Sequence, residues 1–336
     1  MPFELIPPGT RIDFLGKWKI CAAISIASIA IGFVGLWKPG VKFGVDFAGG
    51  TEMQVRFTGE EEVSDEPIRN VMGSLGIESD AVVRVGTSRE FLLKFHGERE
   101  IGGSVPDAAQ TQDVEAGGGG EITAATDLII RLQQELAERI GPLEVVRVEF
   151  VGPKVGEELR NDGLAAIGIS CLLLMIYIGF RFTPRFAPGA VVALVHDIAV
   201  TSAVWIVFGL EFDLRVLAAL LAVLGYSLND TIVVYDRIRE NLELHTRLDL
   251  VDVLNRSVNE TLSRTILTGV TSLVAVGALL SLGGQVVRPF ALAMLIGIVV
   301  GTYSSIYIAS PTLLWLERRR GGGAKAAART RAAAKA

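Results

Sequence analysis

Apolar runs with few charged residues alternate with more strongly charged stretches along this chain of 336 residues. Each run is about long enough for a helix to cross the hydrocarbon core of a bilayer. The pattern therefore predicts a polytopic α-helical membrane protein with six transmembrane helices. The six runs cover residues 20–37, 163–180, 186–210, 214–236, 263–282 and 289–316.

The segment between the first two runs is polar and shows the periodicities of both strands and helices. Its predicted order, β-α-β-β-α-β, is that of the split βαβ unit, so we expect one α+β ferredoxin-like periplasmic domain between helices 1 and 2. A stretch at 100–121 contains four consecutive glycines and no periodicity, which indicates a mobile loop. The predicted strands are 43–57, 81–85, 91–95 and 143–151, and the predicted helices are 61–75 and 122–140.

The first apolar run ends at Trp37, a residue type enriched at membrane interfaces. A cleaved signal peptide has a shorter apolar core and a small-residue cleavage site, so we expect an uncleaved first helix. Signal-peptide cleavage is the alternative reading of this run.

Basic residues set the expected orientation, because cytoplasmic segments carry an excess of Lys and Arg. They occur in 1–17, around Arg181 and Arg237, and in the last 19 residues, whereas the outer turns hold only Arg215 and Arg288. Both termini are therefore expected in the cytoplasm. The predicted organisation is an N-terminal cytoplasmic segment 1–17, helix 1 at 18–37, the periplasmic domain 38–158, helices 2–6 at 159–317 with a cytoplasmic loop 237–262, and a basic tail 318–336.

Composition narrows the chemistry. The chain has a net charge of −5, three histidines and two cysteines, and both cysteines lie in apolar runs. We therefore expect no metal site and no disulfide framework. The basic tail is expected to be disordered and to bind anionic lipid headgroups, since juxtamembrane basic clusters are attracted to them. Contact with the ribosome or with nucleic acid is the weaker alternative.

Asp230 stands out because it follows Asn229 inside the fourth run. A carboxylate at the centre of a membrane helix costs roughly 2.5–3.5 kcal/mol on insertion scales, so such residues are usually functional. Tyr226 and Ser227 lie one turn earlier on the same face. The hypothesis is a protonatable group in a proton relay, and the alternative is a carboxylate that caps a broken helix or reaches the interface.

Arg264 is the expected partner of Asp230, because it lies near the start of the fifth run at a similar depth. An Asp–Arg pair that forms and breaks with protonation would act as a switch. The alternative is a positively charged anchor at the cytoplasmic interface. His196 and Asp197, about ten residues into the third span, are a further relay candidate, with a packed hydrogen-bonded pair as the alternative.

Two further motifs are read as structural. Small residues recur every fourth position in the last run, at Ala293, Gly297, Gly301 and Ser305, and this pattern permits close helix packing. The glycine-rich segment 43–51 contains Asp46, Gly49 and Gly50. It lacks the Lys-Ser/Thr ending of a phosphate-binding loop, so we interpret it as a turn that leads into the first strand.

These motifs together resemble the SecF family of the bacterial Sec protein-export machinery. The resemblance covers nearly the whole chain and rests on Phe43–Thr51, His196-Asp197, Gly225–Asn241, Ser263-Arg264-Thr265 and Arg288-Pro289-Phe290-Ala291. It implies an RND-type membrane half whose six helices pair with six from SecD. It also implies that Asp230 and Arg264 occupy the family's proton-pathway positions.

The expected function follows from this resemblance. With SecD, the chain would use the proton motive force to promote preprotein translocation through SecYEG and release on the periplasmic side. YajC-type and YidC-type proteins are further expected partners, and neither a cofactor nor enzymatic activity is expected. The alternatives are a structural or chaperone-like translocase subunit without its own proton relay, and half of an RND-type small-molecule exporter.

Overall fold

The computed structural model describes residues 10–37, 40–59, 62–77, 79–85, 89–95, 119–181, 186–245 and 247–319. The chain forms two compact units. We call Phe43–Leu164 the sheet domain, and Met1–Lys42 together with Ala165–Ala336 the helical unit. The predicted loop 100–121, except for its last three residues, and the basic tail from residue 320 lie outside the described residues.

The elements follow one another in a helix, sheet-domain, helix-bundle order. In chain order they are α1 (Trp18–Trp37), α2 (Val45–Ala48), β1 (Gly50–Phe57), α3 (Asp65–Ser74), β2 (Ser79–Arg84), β3 (Glu90–Phe95), α4 (Gly119–Arg139), β4 (Leu143–Val151), α5 (Pro153–Arg181), α6 (Ala187–Val207), α7 (Leu214–Leu244), α8 (Leu250–Leu282) and α9 (Gly284–Ser304). A 3₁₀ turn, Leu15–Lys17, precedes α1, and a π-helical segment, Ser305–Ala309, follows α9.

The sheet domain has the predicted β-α-β-β-α-β order. Its four strands lie in the order β2-β3-β1-β4, and each neighbouring pair is antiparallel. Alternate residues of β1, Met53, Val55 and Phe57, are buried, while Arg56 is exposed. The buried face packs against α3 and α4 through Ile68, Val71, Met72, Leu132 and Leu136. The ferredoxin-like prediction is therefore confirmed.

The start of this domain differs from the prediction. Residues Val45–Ala48 form a helical turn, and the strand begins only at Gly50, whereas the sequence pattern suggested a strand from Phe43. Gly49 and Gly50 have φ values of +77° and +129°, which end the helical turn and allow the chain to enter the strand.

The described residues include six helices that are long and apolar enough to span a membrane, which confirms the predicted number. About half of the most apolar window of α6, α7 and the last helix is buried, against about a tenth for α1, α5 and α8. The core of the helical unit is thus formed by α6, α7 and α9 with the segment after it. The outer helices expose apolar side chains to the surroundings, as membrane helices do towards lipid or other helices.

The stretch 237–262 is not a loop in this structure. Helix α7 continues to Leu244 and α8 begins at Leu250, so only the residues between them connect the helices. Arg237 explains this extension, because it bonds Glu240 on its own helix and Glu260 on α8, each at 2.6 Å. Asn241 adds a bond to Ser257 at 3.0 Å. Charged side chains therefore hold the two helices together.

The last helix starts earlier than predicted and changes its winding. It begins at Gly284, five residues before Pro289, and continues through the π-helical segment to residue 319. Ser310 Oγ donates to the carbonyl of Ser305, five residues back, at 3.2 Å. π-helical turns are rare and occur frequently at functional sites.

Candidate functional site

Asp230 is buried in the helical unit, where α7, α8 and the π-helical segment meet. Its side chain accepts two hydrogen bonds. Thr265 Oγ1 on α8 donates to Asp230 Oδ1 at 2.7 Å, and Ser305 Oγ donates to Oδ2 at 2.5 Å. Asp230 is 7% exposed, and Thr265 and Ser305 are 2% and 0% exposed. The carboxyl group thus links three parts of the bundle.

These partners suit a carboxyl group that gains and loses a proton. A hydroxyl group can donate or accept a hydrogen bond, so it can serve either form of the carboxyl. Ser305 Oγ also lies 3.0 Å from the carbonyl of Thr302, which gives its hydrogen a second acceptor. If Asp230 becomes protonated, Ser305 can turn its hydrogen to Thr302 and accept the new one. The change needs only the rotation of a hydroxyl.

The predicted ion pair between Asp230 and Arg264 is not formed in this structure. Arg264 is exposed, whereas its chain neighbour Thr265 is buried against Asp230. Successive side chains on a helix are about 100° apart, so Thr265 and Arg264 cannot both face Asp230. Arg264 instead borders an open cavity of about 580 Å³ whose other lining residues are Arg181, Val233, Asp236, Arg237, Arg239, Glu240, Glu243, Glu260 and Thr261.

Asn229, a predicted relay member, is exposed on a different face of α7 from Asp230. The same helical geometry separates these neighbours: the Asp230 side chain faces the bundle interior, so the Asn229 side chain, about 100° away around the helix, faces outward. The structure therefore does not bring Asn229 into the hydroxyl cluster around Asp230.

His196 and Asp197 are buried, with exposures of 6% and 0%. His196 Nδ1 lies 2.9 Å from Asp197 Oδ1, and its Nε2 lies 2.9 Å from Ser25 Oγ on α1. Ser304 Oγ donates to Asp197 Oδ2 at 2.8 Å, and Ser227 Oγ donates to the same oxygen. The geometry shows the hydrogen-bonded pair; its place in a relay remains a prediction.

The two carboxyl groups are joined by neighbouring serines. Ser304 bonds Asp197 and Ser305 bonds Asp230, so one dipeptide at the junction of α9 and the π-helical segment contacts both. Sequence reasoning assigned Ser305 to helix packing and did not select Ser304. The sequence feature that could have identified them is the pair of adjacent serines within an apolar run. A spacing pattern of small residues does not tell whether such serines pack or donate hydrogen bonds.

The small residues of α9 lie against α7. A Cβ atom at Gly297 would overlap the side chain of Val223, and one at Gly301 would lie 3.0 Å from the Cβ of Ser227. Ala293 is fully buried in the apolar cluster with Val216. This close approach places Ser227, one turn before Asp230, beside α9.

Tyr235 on α7 holds the far end of the π-helical segment. Its hydroxyl donates to the carbonyl of Ala309 at 3.0 Å, and a Cβ at Gly189 would collide with that hydroxyl. The glycine therefore makes room for the hydrogen bond. Together with Ser305, Tyr235 fixes both ends of the segment to α7.

The glycine motif of the sheet domain makes a tight backbone contact with the start of α5. A Cβ at Gly49 would lie 2.8 Å from the Cα of Pro153, and one at Gly156 would lie 3.0 Å from the nitrogen of Gly49. Gly49 and Gly50 are buried, and Asp46 is half-buried in α2. The motif thus allows the backbone to cross closely, which is a structural role.

These features define a class: a six-span membrane protein with a ferredoxin-like domain and carboxyl groups buried among its core helices. Residues 132–319 match the family model of the C-terminal region of the protein export membrane proteins SecD and SecF, and residues 34–61 match the SecD/SecF GG motif. The chain belongs to the SecF family of protein-export membrane proteins.

Similar proteins support this assignment along most of the chain. The protein translocase subunit SecF of Gemmatimonas aurantiaca is 39% identical over 92% of this chain and 88% of its own length. The SecF subunit of Pseudomonas aeruginosa is 39% identical over 91% of each chain. The crystal structure of SecDF from Thermus thermophilus, a translocon-associated membrane protein, is 34% identical with a TM-score of 0.76. That comparison covers 95% of this chain but only 40% of the SecDF chain.

Proposed function

We propose that this chain is the SecF-type subunit of a bacterial Sec translocase. With a SecD partner it uses the proton motive force to promote preprotein movement through a SecYEG-type channel. In this proposal the protein lies in the inner membrane with both termini in the cytoplasm and the sheet domain in the periplasm. The role requires no cofactor and no covalent chemistry. The family assignment and the similarity to SecDF support it.

The single observation that carries the proton-driven part is the setting of Asp230. Its two hydroxyl partners lie on different elements, α8 and the π-helical segment, so a change in its charge alters both contacts together. An intramembrane ionisable residue that faces the bundle interior is typical of proton relays. Asp230 would therefore convert proton binding into relative movement of the core helices.

Arg264 has a separate role in this proposal. It borders the charged cavity, next along the chain to Thr265. When the Thr265–Asp230 bond breaks, a rotation of α8 would exchange Thr265 for Arg264 beside the carboxylate. Each proton that crosses the membrane supplies roughly 2.3 kcal/mol per 100 mV, which is enough to bias such an exchange.

The test is preprotein export into vesicles with an imposed proton gradient. Asp230→Asn removes the titratable group but keeps the shape of the side chain, and we expect gradient-dependent stimulation to be lost. Asp249→Asn is the matched control, because it makes the same chemical change at an exposed position before α8. We expect this control to behave as wild type.

Assembly must be measured on the same samples. Lost stimulation with intact assembly with SecD supports the relay, whereas wild-type stimulation in Asp230→Asn refutes it. A defect that follows only loss of the complex favours the structural or chaperone-like alternative.

A further inference from the structure

A second buried polar cluster surrounds the pair formed by His196 and Asp197, which we call the dyad. It lies at the junction of α1, α6, α7 and α9. Its hydrogen bonds form a chain whose direction can be worked out from the number of hydrogens that each group carries. That count decides whether the dyad holds a proton.

The chain of bonds begins at Tyr303 on α9. Its hydroxyl donates to the carbonyl of Cys21 at 2.7 Å, and a carbonyl can only accept. The hydroxyl has a single hydrogen, which this bond uses. Ser25 Oγ lies 3.1 Å from the same hydroxyl, so Ser25 is the donor in that contact.

The next step fixes one nitrogen of His196. Ser25 has given its only hydrogen to Tyr303, so in its 2.9 Å contact with His196 Nε2 it must accept. His196 Nε2 therefore carries a hydrogen. A neutral imidazole has one N–H, so Nδ1 would then be a bare acceptor.

The last contact of the chain needs one more proton. His196 Nδ1 lies 2.9 Å from Asp197 Oδ1, and a carboxylate facing a bare nitrogen would place two acceptors in contact without a hydrogen. A proton between them resolves this, either as an acid that donates to the imidazole or as an imidazolium that donates to the carboxylate. Both descriptions contain the same number of protons.

We propose that the His196–Asp197 dyad is a proton-binding site, separate from the site at Asp230, that in this conformation holds one proton more than a neutral imidazole and a carboxylate together. The inference deepens the proposed function and rests on it for its role in export. The hydrogen-bond count itself is independent of that role. While Nε2 keeps its hydrogen, loss of the extra proton would leave two lone pairs facing each other between Nδ1 and Oδ1, which favours opening of the dyad.

The dyad lies on α6 and connects this helix to three others through hydrogen bonds. Through Ser25 it reaches α1, through Ser304 it reaches α9, and through Ser227 it reaches α7. Among titratable side chains, Tyr303 stacks its ring on His196, and Tyr307 packs on Tyr303 in turn. Asp230 follows Ser227 by three residues on α7 and bonds Thr265 and Ser305. Because Ser304 and Ser305 are adjacent, opening the dyad would disturb the contacts of Asp230.

Nitrogen-15 NMR of the full-length chain in lipid bilayers tests the count directly. The chain has three histidines, and the variant His196→Gln identifies the signals of His196 by their loss. We expect Nε2 to be protonated, with its attached hydrogen visible through the one-bond coupling. An unprotonated Nε2 accompanied by a single Nδ1–H would mean that Ser25 donates to the ring and that the dyad holds no additional proton, which overturns the proposal.

A pair of tyrosine variants tests the donor and acceptor directions in this series of hydrogen bonds. Tyr303→Phe removes the oxygen to which Ser25 donates, so Ser25 becomes free to donate to His196 Nε2, and we expect the Nε2–H signal to be lost. Tyr307→Phe is the control, because its ring packs beside Tyr303 at 5.2 Å between centroids. Retention of the Nε2–H signal in Tyr303→Phe, as in the control, would contradict the proposal, because it would show that the hydrogen bonds from Tyr303 and Ser25 do not determine which nitrogen of His196 is protonated.

The outcomes separate this inference from the proposed function. The NMR signals require no export activity. A protonated Nε2 together with normal gradient response in Asp230→Asn would keep the dyad and refute the export relay. An unprotonated Nε2 together with a lost response would do the reverse.

Discussion

Thr265→Val offers a quantitative test of the contact between α8 and Asp230. The change conserves the size and branching of the side chain but removes the hydroxyl that donates to Asp230 at 2.7 Å. Leaving a buried polar group without its partner costs about 1–3 kcal/mol. Because Thr265 is 2% exposed, water cannot readily replace the lost bond, and we expect a loss in the free energy of unfolding within this range.

The control is Thr271→Val on the same helix. Thr271 is exposed, and its hydroxyl donates only within α8, to the carbonyls of Leu267 and Thr268. The same chemical change there removes no contact between helices. We therefore expect a change of less than about 0.5 kcal/mol, as is usual for exposed substitutions.

A double-mutant cycle isolates the interaction itself. In the background Asp230→Leu the acceptor is absent, so Thr265→Val should cost much less than in the wild type. Reversible unfolding of the reconstituted protein provides the four free energies. Strict additivity of the two changes would refute the reasoning, because it would show that Thr265 contributes nothing through Asp230.

Two glycine pairs test the close contacts. Gly297→Ala inserts a methyl group into the contact between α7 and α9, whereas the methyl group of Gly277→Ala meets no atom within 4 Å. We expect the free energy of unfolding of Gly297→Ala to be lower than that of Gly277→Ala by about 1–3 kcal/mol. Equal free energies of unfolding would contradict the close packing of the two helices. In the sheet domain, Gly49→Ala and Gly76→Ala share the strain of a positive φ, but only Gly49 faces the backbone of α5. Gly49→Ala should therefore lower the melting temperature more, and equal shifts would show that the contact is unimportant.

Much of the architecture could be predicted because hydrophobic periodicity reports burial directly. The six spans are visible as apolar runs with few charges, and the alternation from Met53 to Phe57 identified a central strand of the sheet. The continuation of α7 and α8 into 237–262 was not predicted, because a charged stretch between two apolar runs is also typical of a loop. The structure shows Arg237 paired with Glu260 across the two helices.

The candidate site was only partly predictable. A buried aspartate is conspicuous in an apolar run, so Asp230 and Asp197 could be selected from the sequence. Their hydroxyl partners could not, because a Ser or Thr in a membrane helix looks the same in the sequence whether it only packs or also donates a hydrogen bond. Arg264 was chosen for its charge and its depth in the membrane, yet α8 is oriented so that Thr265, and not Arg264, faces Asp230.

Ser305 shows what a spacing pattern leaves out. It keeps the spacing of four from Ala293, since its backbone N–H bonds the carbonyl of Gly301 as in a regular α-helix. It is fully buried and also donates a hydrogen bond to Asp230. The spacing of small residues predicts which face of a helix is packed, but it does not show that a serine on that face donates to a carboxyl group.

Proton flux tests the central claim most directly. Vesicles that contain the chain with its SecD partner and an engaged preprotein would be followed with a pH-sensitive dye under an imposed gradient. The account predicts flux for the wild type and for Asp249→Asn, and none above background for Asp230→Asn. Undiminished flux in fully assembled Asp230→Asn would contradict it, because protons would then cross without the carboxyl group that links α7, α8 and the π-helical segment.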